Sequence, residues 1–228
     1  MKPVSEVFHG DCMAFMAGLP DKSIGLAVVD PPYGIDASEM QMGLGKGKKA
    51  SKKKNRKWVK KEWDACAPAP EYFTELFRVS KNQIIWGGNY FDLPVFNHYI
   101  IWDKEIPPGL SFSDCELAWT SFDGAQRMFR HSAYLDKKNK IHPTQKPVAL
   151  YEWLLRNYAK PGDKILDTHL GSQSSRIAAY KLGFDFWGCE IDDDYIREGN
   201  ARFEKEIAMP LFDAPKPALQ SHLNFDAL

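Results

Sequence analysis

The sequence predicts an α/β fold, with a mostly parallel β-sheet and helices on both of its faces. Short runs of apolar and β-branched residues alternate along the chain with segments of helical periodicity, the order that a parallel sheet requires. The runs are nearly continuous in apolar residues, as in strands buried on both faces. Asp30, Asp167 and Glu190 end or directly follow three of these runs, and ligands of such sheets bind at the carboxyl ends of the strands. We therefore expect a single domain over residues 1–228, with a site at that edge.

Each element has a local signal. Six strands are expected, at residues 24–30, 83–87, 98–102, 115–120, 164–167 and 184–189. Four helices are expected, at residues 71–79, 147–158 and 172–182 and from residue 193 onwards. The helix from Pro147 carries apolar residues at helical spacing, and the segment KPGD ends it. Gly183 ends the next helix, and the segment DDD suits the positive end of the last helix dipole.

The composition indicates a folded protein without a membrane segment. Of the 228 residues, 44% are apolar and 26% are charged, a balance typical of globular domains. No apolar run approaches the roughly 20 residues that span a bilayer, and the first residues lack the apolar stretch of a signal peptide. The four cysteines form no CxxC pair. We therefore expect a cytoplasmic location and neither a disulfide framework nor a metal site.

The formal net charge of zero conceals a strong local asymmetry. The segment KGKKASKKKNRKWVKK, residues 46–61, holds ten Lys or Arg residues and no acidic ones. The other 20 basic residues face all 30 acidic ones, so the rest of the chain carries a charge of about −10. A solvated loop is the simplest interpretation of such a run. Its charge density, together with Gly45, Gly47 and Trp58, favours contact with a polyanion.

The segment KILDTHLGSQSSRIAAYKLGFDFWGCEID, in the C-terminal half, is typical of a nucleoside-binding strand, turn, helix and strand. Gly171 lets a ligand approach the backbone of the turn, and the next helix offers free N–H groups. Glu190 lies 23 residues after Asp167, the spacing expected of an acid that holds ribose hydroxyls. An ordinary βαβ turn has the same pattern. Because GxGxxG and P-loop motifs are missing, S-adenosylmethionine (SAM) fits better than NAD or a nucleoside triphosphate.

Four segments together resemble the amino-methylating DNA methyltransferases: DPPYG at 30–34, HPTQKP at 142–147, ILDTHLGSQSS at 165–175 and GCEID at 188–192. Their order is similar to that of the β group, whose members are mostly adenine enzymes. The resemblance covers nearly the whole chain and implies the SAM-dependent, Rossmann-like methyltransferase fold, DNA as substrate and SAM as cofactor. The family usually has DPFxGSGTT in the turn, so His169 and Gln173 are departures that bear on SAM affinity.

The resemblance implies a set of site residues. Asp11 matches the acid that contacts the SAM adenine, Glu190 the ribose acid, and Lys146 a lysine near the SAM carboxylate. The full set of expected cofactor contacts is Asp11, Cys12, Asp30, Lys146, Asp167, His169, Leu170, Gly171, Ser172, Glu190 and Ile191. The expected DNA contacts are Tyr33, Trp86, Asn89, Arg127 and Arg130, with Lys48, Lys49, Lys53, Lys54 and Arg56 in a basic loop at 43–62. A small target-recognition region is expected at about 103–140.

Asp30, Pro31, Pro32 and Tyr33 are the expected catalytic residues. The 6-amino group of adenine is a poor nucleophile because its lone pair is delocalised into the ring. The Asp30 carboxylate and the Pro31 carbonyl can each accept one N–H and draw the lone pair out of conjugation, and the prolines fix the backbone that aims the carbonyl. Tyr33 offers a ring on which a flipped base can stack.

Two alternatives to an adenine methyltransferase stay open, and a third is disfavoured. Methylation of the cytosine amino group uses the same geometry, although that subfamily usually has Ser in place of Asp30. A catalytically silent DNA-binding relative would keep the fold. Methylation at carbon 5 of cytosine needs a cysteine nucleophile, usually after a proline, and no cysteine of this chain follows a proline. A solitary enzyme and a partner of a restriction endonuclease both stay open.

Overall fold

The structure is a computed structural model that describes residues 2–35, 66–95, 97–108, 113–133, 135 and 140–208. The expected basic loop, with Lys48, Lys49, Lys53, Lys54 and Arg56, lies outside the described residues. None of the helices in the described ranges is long and apolar enough to cross a membrane.

Strands and helices alternate along most of the described chain. The strands are β1 Ser5–His9, β2 Ile24–Val29, β3 Ser80–Trp86, β4 Tyr99–Asp103, β5 Cys115–Thr120, β6 Arg127–Arg130, β7 Ile165–Asp167 and β8 Phe186–Glu190. The helices are α1 Cys12–Ala17, α2 Pro70–Val79, α3 Val148–Tyr158, α4 Ser174–Lys181 and α5 Asp193–Ala208, with a 3₁₀ helix at Gly88–Tyr90. All six expected strands and all four expected helices are present, whereas β1, α1 and β6 are additions.

The described strands form one sheet in the order β1-β8-β7-β2-β3-β5-β4-β6. Every neighbouring pair is parallel except the two that include β5, which runs antiparallel to β3 and to β4. The prediction of a mostly parallel sheet in an α/β fold is therefore confirmed. The carboxyl ends of β1, β8, β7, β2 and β3 meet at one edge of the sheet, the carboxyl edge.

Helices cover both faces of the sheet, as expected. On one face, Leu150 and Leu154 of α3 and Ala178 of α4 pack against strand residues that include Leu26 and Ile84. On the other face, Met16 of α1 and Leu76 of α2 belong to a second apolar cluster. All six residues of β2 are buried, which explains why this strand reads as a continuous apolar run.

The region expected to read the DNA target contributes strands to the sheet. Within residues 103–140, β5 lies between β3 and β4 and buries Ala118, Trp119 and Thr120, while β6 pairs with β4 at the end of the sheet. The connections that follow β4 and β6 leave from the carboxyl edge, because both strands run parallel to β3. Among the described residues of this region, those that directly follow β4 and β6 therefore lie at that edge.

Candidate active site

A cavity of about 350 Å³ opens at the carboxyl edge of the sheet. Its volume lies within the range of small-molecule sites, roughly 300–1,000 Å³. Its wall comes from the segments that follow β1, β2, β7 and β8, from the stretch before α3, and from α3, α4 and α5. The lining residues are Gly10, Asp11, Cys12, Asp30, Pro32, His142, Thr144, Gln145, Lys146, Tyr151, Thr168, His169, Leu170, Gly171, Ser172, Ser174, Glu190, Ile191 and Tyr195. Segments distant in the sequence thus share one concave site.

Buried Asp167, the last residue of β7, stabilises the turn that follows this strand. The Asp167 carboxylate accepts hydrogen bonds from the His169 backbone N–H at 3.1 Å and from the Ser175 hydroxyl at 2.5 Å. Burial raises the pKa of this carboxyl to about 7. Asp167 does not line the cavity, so its contacts identify it as a support of the turn.

Glu190 fixes the other side of the turn. Its Oε2 accepts the Gly171 N–H at 2.8 Å, and its Oε1 accepts the N–H groups of Ile191 and Asp192, each at 2.9 Å. Gly171 has a φ of 47°, in the left-handed region that favours glycine. Glu190 therefore joins the end of β8 to the turn and lines the cavity with a carboxylate held in one orientation.

Gln173 adopts a backbone conformation that favours glycine, the residue that the family usually has at this position. Its φ is 60° and its ψ is 26°, in the left-handed region. The side chain is fully buried: its Oε1 accepts from Arg176 Nη1 at 2.8 Å, and its Nε2 donates to Asn200 Oδ1 at 3.2 Å. These partners lie on α4 and α5, so the larger side chain packs between the two helices.

His169, the other departure from the family pattern, lines the cavity as a neutral imidazole at pH 7. Its Nδ1 lies 3.0 Å from the Thr168 hydroxyl, which lies 2.6 Å from the Tyr72 hydroxyl. Burial lowers the pKa of His169 to about 4, and Asp11 opposes this shift only in part. Its imidazole packs edge-on with Tyr72, at 5.3 Å between ring centroids.

Asp30, just after β2, lies in a hydrogen-bonded cluster on the cavity wall. Tyr33 OH donates to Asp30 Oδ1 at 2.7 Å, and Lys146 Nζ donates to Asp30 Oδ2 at 2.5 Å. Lys146 Nζ also lies 3.1 Å from Glu116 Oε2. Burial raises the pKa of Asp30, and the Lys146 ammonium opposes that rise. Burial and then Asp30 raise the pKa of Tyr33, so its hydroxyl stays a hydrogen-bond donor at neutral pH.

The ring of Tyr33 stacks on that of Tyr90, with centroids 4.8 Å apart and planes 12° from parallel. Tyr90 is 49% exposed and ends the 3₁₀ helix after β3. Gly87 has a φ of 69°, and a Cβ at this position would lie 2.2 Å from Tyr33 Cε1. The glycine therefore allows the aromatic pair to lie against the backbone at the carboxyl edge.

Comparison with known proteins identifies the family. Residues 36–201 match the N6/N4 methyltransferase family, described as DNA methylase. The match covers more than half of the chain. This chain belongs to the DNA methylase family. Its members methylate amino groups and use SAM, so the predictions of an amino-methylating DNA methyltransferase and of its cofactor are confirmed.

Individual relatives are distant. The Type II methyltransferase M2.DpnII of Streptococcus pneumoniae is 25% identical over 251 residues, covering 87% of this methylase and 89% of that protein. The crystal structure of an M1.HpyAVI–SAM complex has a TM-score of 0.56 at 19% identity, covering 86% of this chain and 98% of that chain. PvuII DNA methyltransferase, which is cytosine-N4-specific, has a TM-score of 0.57 at 15% identity, covering 90% and 93%. The two structural likenesses show the fold.

The structure brings most of the expected cofactor residues of the methylase into one place. The residues of that set that line the cavity are Asp11, Cys12, Asp30, Lys146, His169, Leu170, Gly171, Ser172, Glu190 and Ile191. The carboxylate of Asp11 also caps α1 by accepting the Met13 N–H at 2.6 Å. Pro32 belongs to the wall as well, while Pro31 is buried and is not one of the lining residues.

The expected DNA contacts are scattered. Asn89 is exposed beside Tyr90. Arg130 lies at the carboxyl end of β6, 3.3 Å from Asp103, whereas Arg127 lies at the amino end of that strand, away from the carboxyl edge. Trp86 is 0% exposed, with its ring 5.3 Å from Lys146 Nζ. The placements of Arg127 and Trp86 argue against contact with DNA.

Sequence reasoning missed several residues of this region. Thr144, Gln145 and Tyr195 line the cavity, and Glu116 binds Lys146 from β5. Thr144 and Gln145 belong to HPTQKP, so the motif itself was the available signal. Glu116 is one acidic residue within a strand pattern, and nothing in its neighbourhood along the chain points to Lys146.

Proposed function

We propose that this methylase transfers a methyl group from SAM to the exocyclic 6-amino group of adenine in DNA. One observation carries the proposal: the Asp30 carboxylate lines the same cavity as the turn after β7 and Glu190. An acceptor for an amino group and a nucleoside-binding cradle therefore lie in one site.

The cavity suits SAM because its polar groups are already oriented. Glu190 is the residue we assign to the ribose hydroxyls, and its carboxylate is fixed by three backbone N–H groups. Gly171 and Ser172 offer backbone at the turn, and Asp11 and the neutral His169 lie on the wall. When bound, SAM supplies a methyl group on a positively charged sulfonium.

Asp30 prepares the amino group for attack. Its carboxylate is held by Tyr33 on one oxygen and by Lys146 on the other, yet each oxygen has a further lone pair with which to accept an amino N–H. The Pro31 carbonyl is assigned the second N–H. Acceptors fixed before the substrate arrives lose no free energy to reorganisation during the reaction. The proton that leaves the methylated nitrogen passes to Asp30, whose pKa is raised by burial.

Tyr33 is assigned to stack on the target base, which must leave the duplex to reach Asp30. Stacking of a base on an aromatic ring is worth roughly 1–3 kcal/mol. The close Tyr33–Tyr90 pair indicates that a base can reach the Tyr90-facing side of Tyr33 only if the rings part. The basic loop at 43–62 stays a sequence-based prediction, as do a restriction endonuclease partner and a cytoplasmic location.

Adenine is favoured over cytosine by the residue at position 30. The cytosine amino-methylases that the sequence resembles usually have Ser there, and this chain has Asp. PvuII DNA methyltransferase, a structural neighbour, is cytosine-N4-specific, so the fold serves either base. The 4-amino group of cytosine is the alternative acceptor.

The test is to identify the methylated base. Purified protein is incubated with unmethylated plasmid DNA and SAM carrying a deuterated methyl group, and the DNA is digested to nucleosides for mass spectrometry. Labelled N6-methyldeoxyadenosine is expected. Labelled N4-methyldeoxycytidine would mean that cytosine, and not adenine, is the target base. DNA that stays unlabelled under all conditions would refute the proposed methyl transfer.

Asp30→Asn is the matched control, because it keeps the side-chain shape and removes the charge. We expect it to reduce methyl transfer at least 100-fold. SAM binding, measured by calorimetry, should persist because Lys146 retains Glu116 as a counterion at 3.1 Å. A variant that retains turnover would show that Asp30 is not the acceptor.

A further inference from the structure

Four side chains of alternating charge form a row that ends at Asp30. Lys104 Nζ lies 3.4 Å from Glu116 Oε1, Glu116 Oε2 lies 3.1 Å from Lys146 Nζ, and Lys146 Nζ lies 2.5 Å from Asp30 Oδ2. The four residues come from the connection after β4, from β5, from the stretch before α3 and from the connection after β2. The row therefore joins the region expected to read the DNA target to the catalytic carboxylate.

Lys146 is the most deeply buried member of the row, at 3% exposure. An ammonium removed from water loses its hydration, so it must be compensated by nearby carboxylates. Burial acts to lower the pKa of Lys146, but Asp30 and Glu116 more than offset it and raise that pKa. Lys146 is therefore a fixed positive charge rather than a base, and each of the two carboxylates favours that charge.

The geometry points to Lys146 and Glu116 as positioning residues: Lys146 aims the Asp30 carboxylate and favours its ionised form, and Glu116 holds Lys146 in place. Lys146 anchors Oδ2 while Tyr33 anchors Oδ1, which fixes the plane of the carboxylate. Glu116 holds the ammonium from the other side, and Lys104 balances Glu116. The inference rests on the proposed function, in which Asp30 accepts the amino N–H.

Two members of the row, Lys146 and Glu116, have opposite effects on the pKa of Asp30. Lys146 lowers the pKa of Asp30 and Glu116 raises it, on top of the rise caused by burial. Removing Lys146 should therefore make Asp30 harder to ionise, and removing the charge of Glu116 should make it easier. Loss of packing alone would not move the acid limb of a pH profile in opposite directions.

The other titratable groups near Asp30 are the same in every variant. Tyr33 and Tyr151 remain neutral at the pH of the assay because burial raises both pKa values. Asp167 on β7 interacts with Asp30, and its pKa is about 7. Its titration contributes to each profile, so only the displacement between profiles is interpreted.

The experiment compares kcat/KM for methylation of unmethylated plasmid DNA from pH 5 to pH 9. In Lys146→Met the acid limb should move up by about one pH unit or more, the size typical of losing a charged partner in contact. In Glu116→Gln it should move down. Lys146→Arg, which keeps the charge, should restore the limb toward that of the unmodified protein.

Two controls separate the possible failures. Glu116→Gln should bind SAM as the unmodified protein does, because Glu116 does not line the cavity. If Lys146→Met does not fold, Lys104→Gln and Glu116→Gln test the inference in its place. Lys104→Gln removes the positive charge beside Glu116 and should move the acid limb slightly up. Limbs that stay fixed, or move together, overturn the inference. An unmodified protein that methylates no DNA overturns the proposed function instead.

Discussion

Replacing His169 by Phe, the residue common in the family, should change how the stability of this methylase depends on pH. Burial lowers the pKa of His169 to about 4, from the ordinary 6.5. Below pH 6.5 the unfolded chain therefore binds a proton at this histidine that the folded protein does not bind. Folding loses stability as the pH falls through this interval, and the loss is complete near pH 4.

The size of the loss follows from the pKa difference. One pKa unit corresponds to about 1.4 kcal/mol, so the interval of about 2.5 units is worth up to about 3.4 kcal/mol of unfolding free energy. His169 lies on the cavity wall, where access to solvent weakens the effect, so the figure is an upper bound. The Phe variant has no such group and should escape the loss.

Urea unfolding followed by tryptophan fluorescence at pH 8, 7, 6, 5 and 4.5 measures the difference between the two proteins. At pH 8 His169 is neutral in both states, so the difference there reports packing alone. Asp167 titrates in both proteins and largely cancels from the comparison. The difference should change by about 2 kcal/mol in favour of the Phe variant between pH 7 and pH 4.5. Curves that stay parallel over this range would show that His169 is not held neutral.

Three further changes test other parts of the structure. Gly87→Ala should cost at least about 1 kcal/mol of unfolding free energy, because φ is 69° and the new Cβ meets Tyr33. A thermal shift measures the stability and the KM for DNA measures binding. An unchanged KM would mean that the Tyr33–Tyr90 pair is not at the DNA site. Gln173→Gly relieves the left-handed backbone but removes hydrogen bonds to Arg176 and Asn200. We expect a loss of roughly 1–3 kcal/mol of unfolding free energy and weaker SAM binding by calorimetry. Unchanged SAM binding would mean that these hydrogen bonds only stabilise the fold. Deleting residues 46–61 should weaken DNA affinity and flatten its dependence on salt, and an equal salt slope would argue against phosphate contacts.

The buried strands were predictable because their signal is local. The segment of β2 is apolar throughout and ends in the acid that lines the cavity, so both its structure and its functional end could be read. β1 and β6 were missed because they lie at the two ends of the sheet and are partly exposed. Their sequences, SEVFH and RMFR, lack the continuous apolar run of a buried strand.

The contacts of the site were less predictable than its members. Lys146 was expected near the cofactor, and it does line the cavity. Its two carboxylate partners are distant in the sequence, however: Asp30 precedes it by 116 positions and Glu116 by 30. No spacing rule covers such a pair. Gln173 was expected only as a departure that bears on SAM affinity; its left-handed conformation and the binding of its side chain by Arg176 and Asn200 could not be read from the sequence.

The register between β2 and β7 explains how DPPY and the cofactor turn come to share a cavity. Ala27 pairs with Leu166, in the centre of the sheet. β2 ends two residues later, at Val29, and β7 ends one residue later, at Asp167, so the register brings Asp30 and the turn after β7 to the same edge of the sheet. A shift of one residue would turn every side chain of β2 to the other face, and Asp30 would leave the cavity wall. The spatial neighbourhood of these two strand ends, rather than the order of the segments along the chain, is what the chemistry requires.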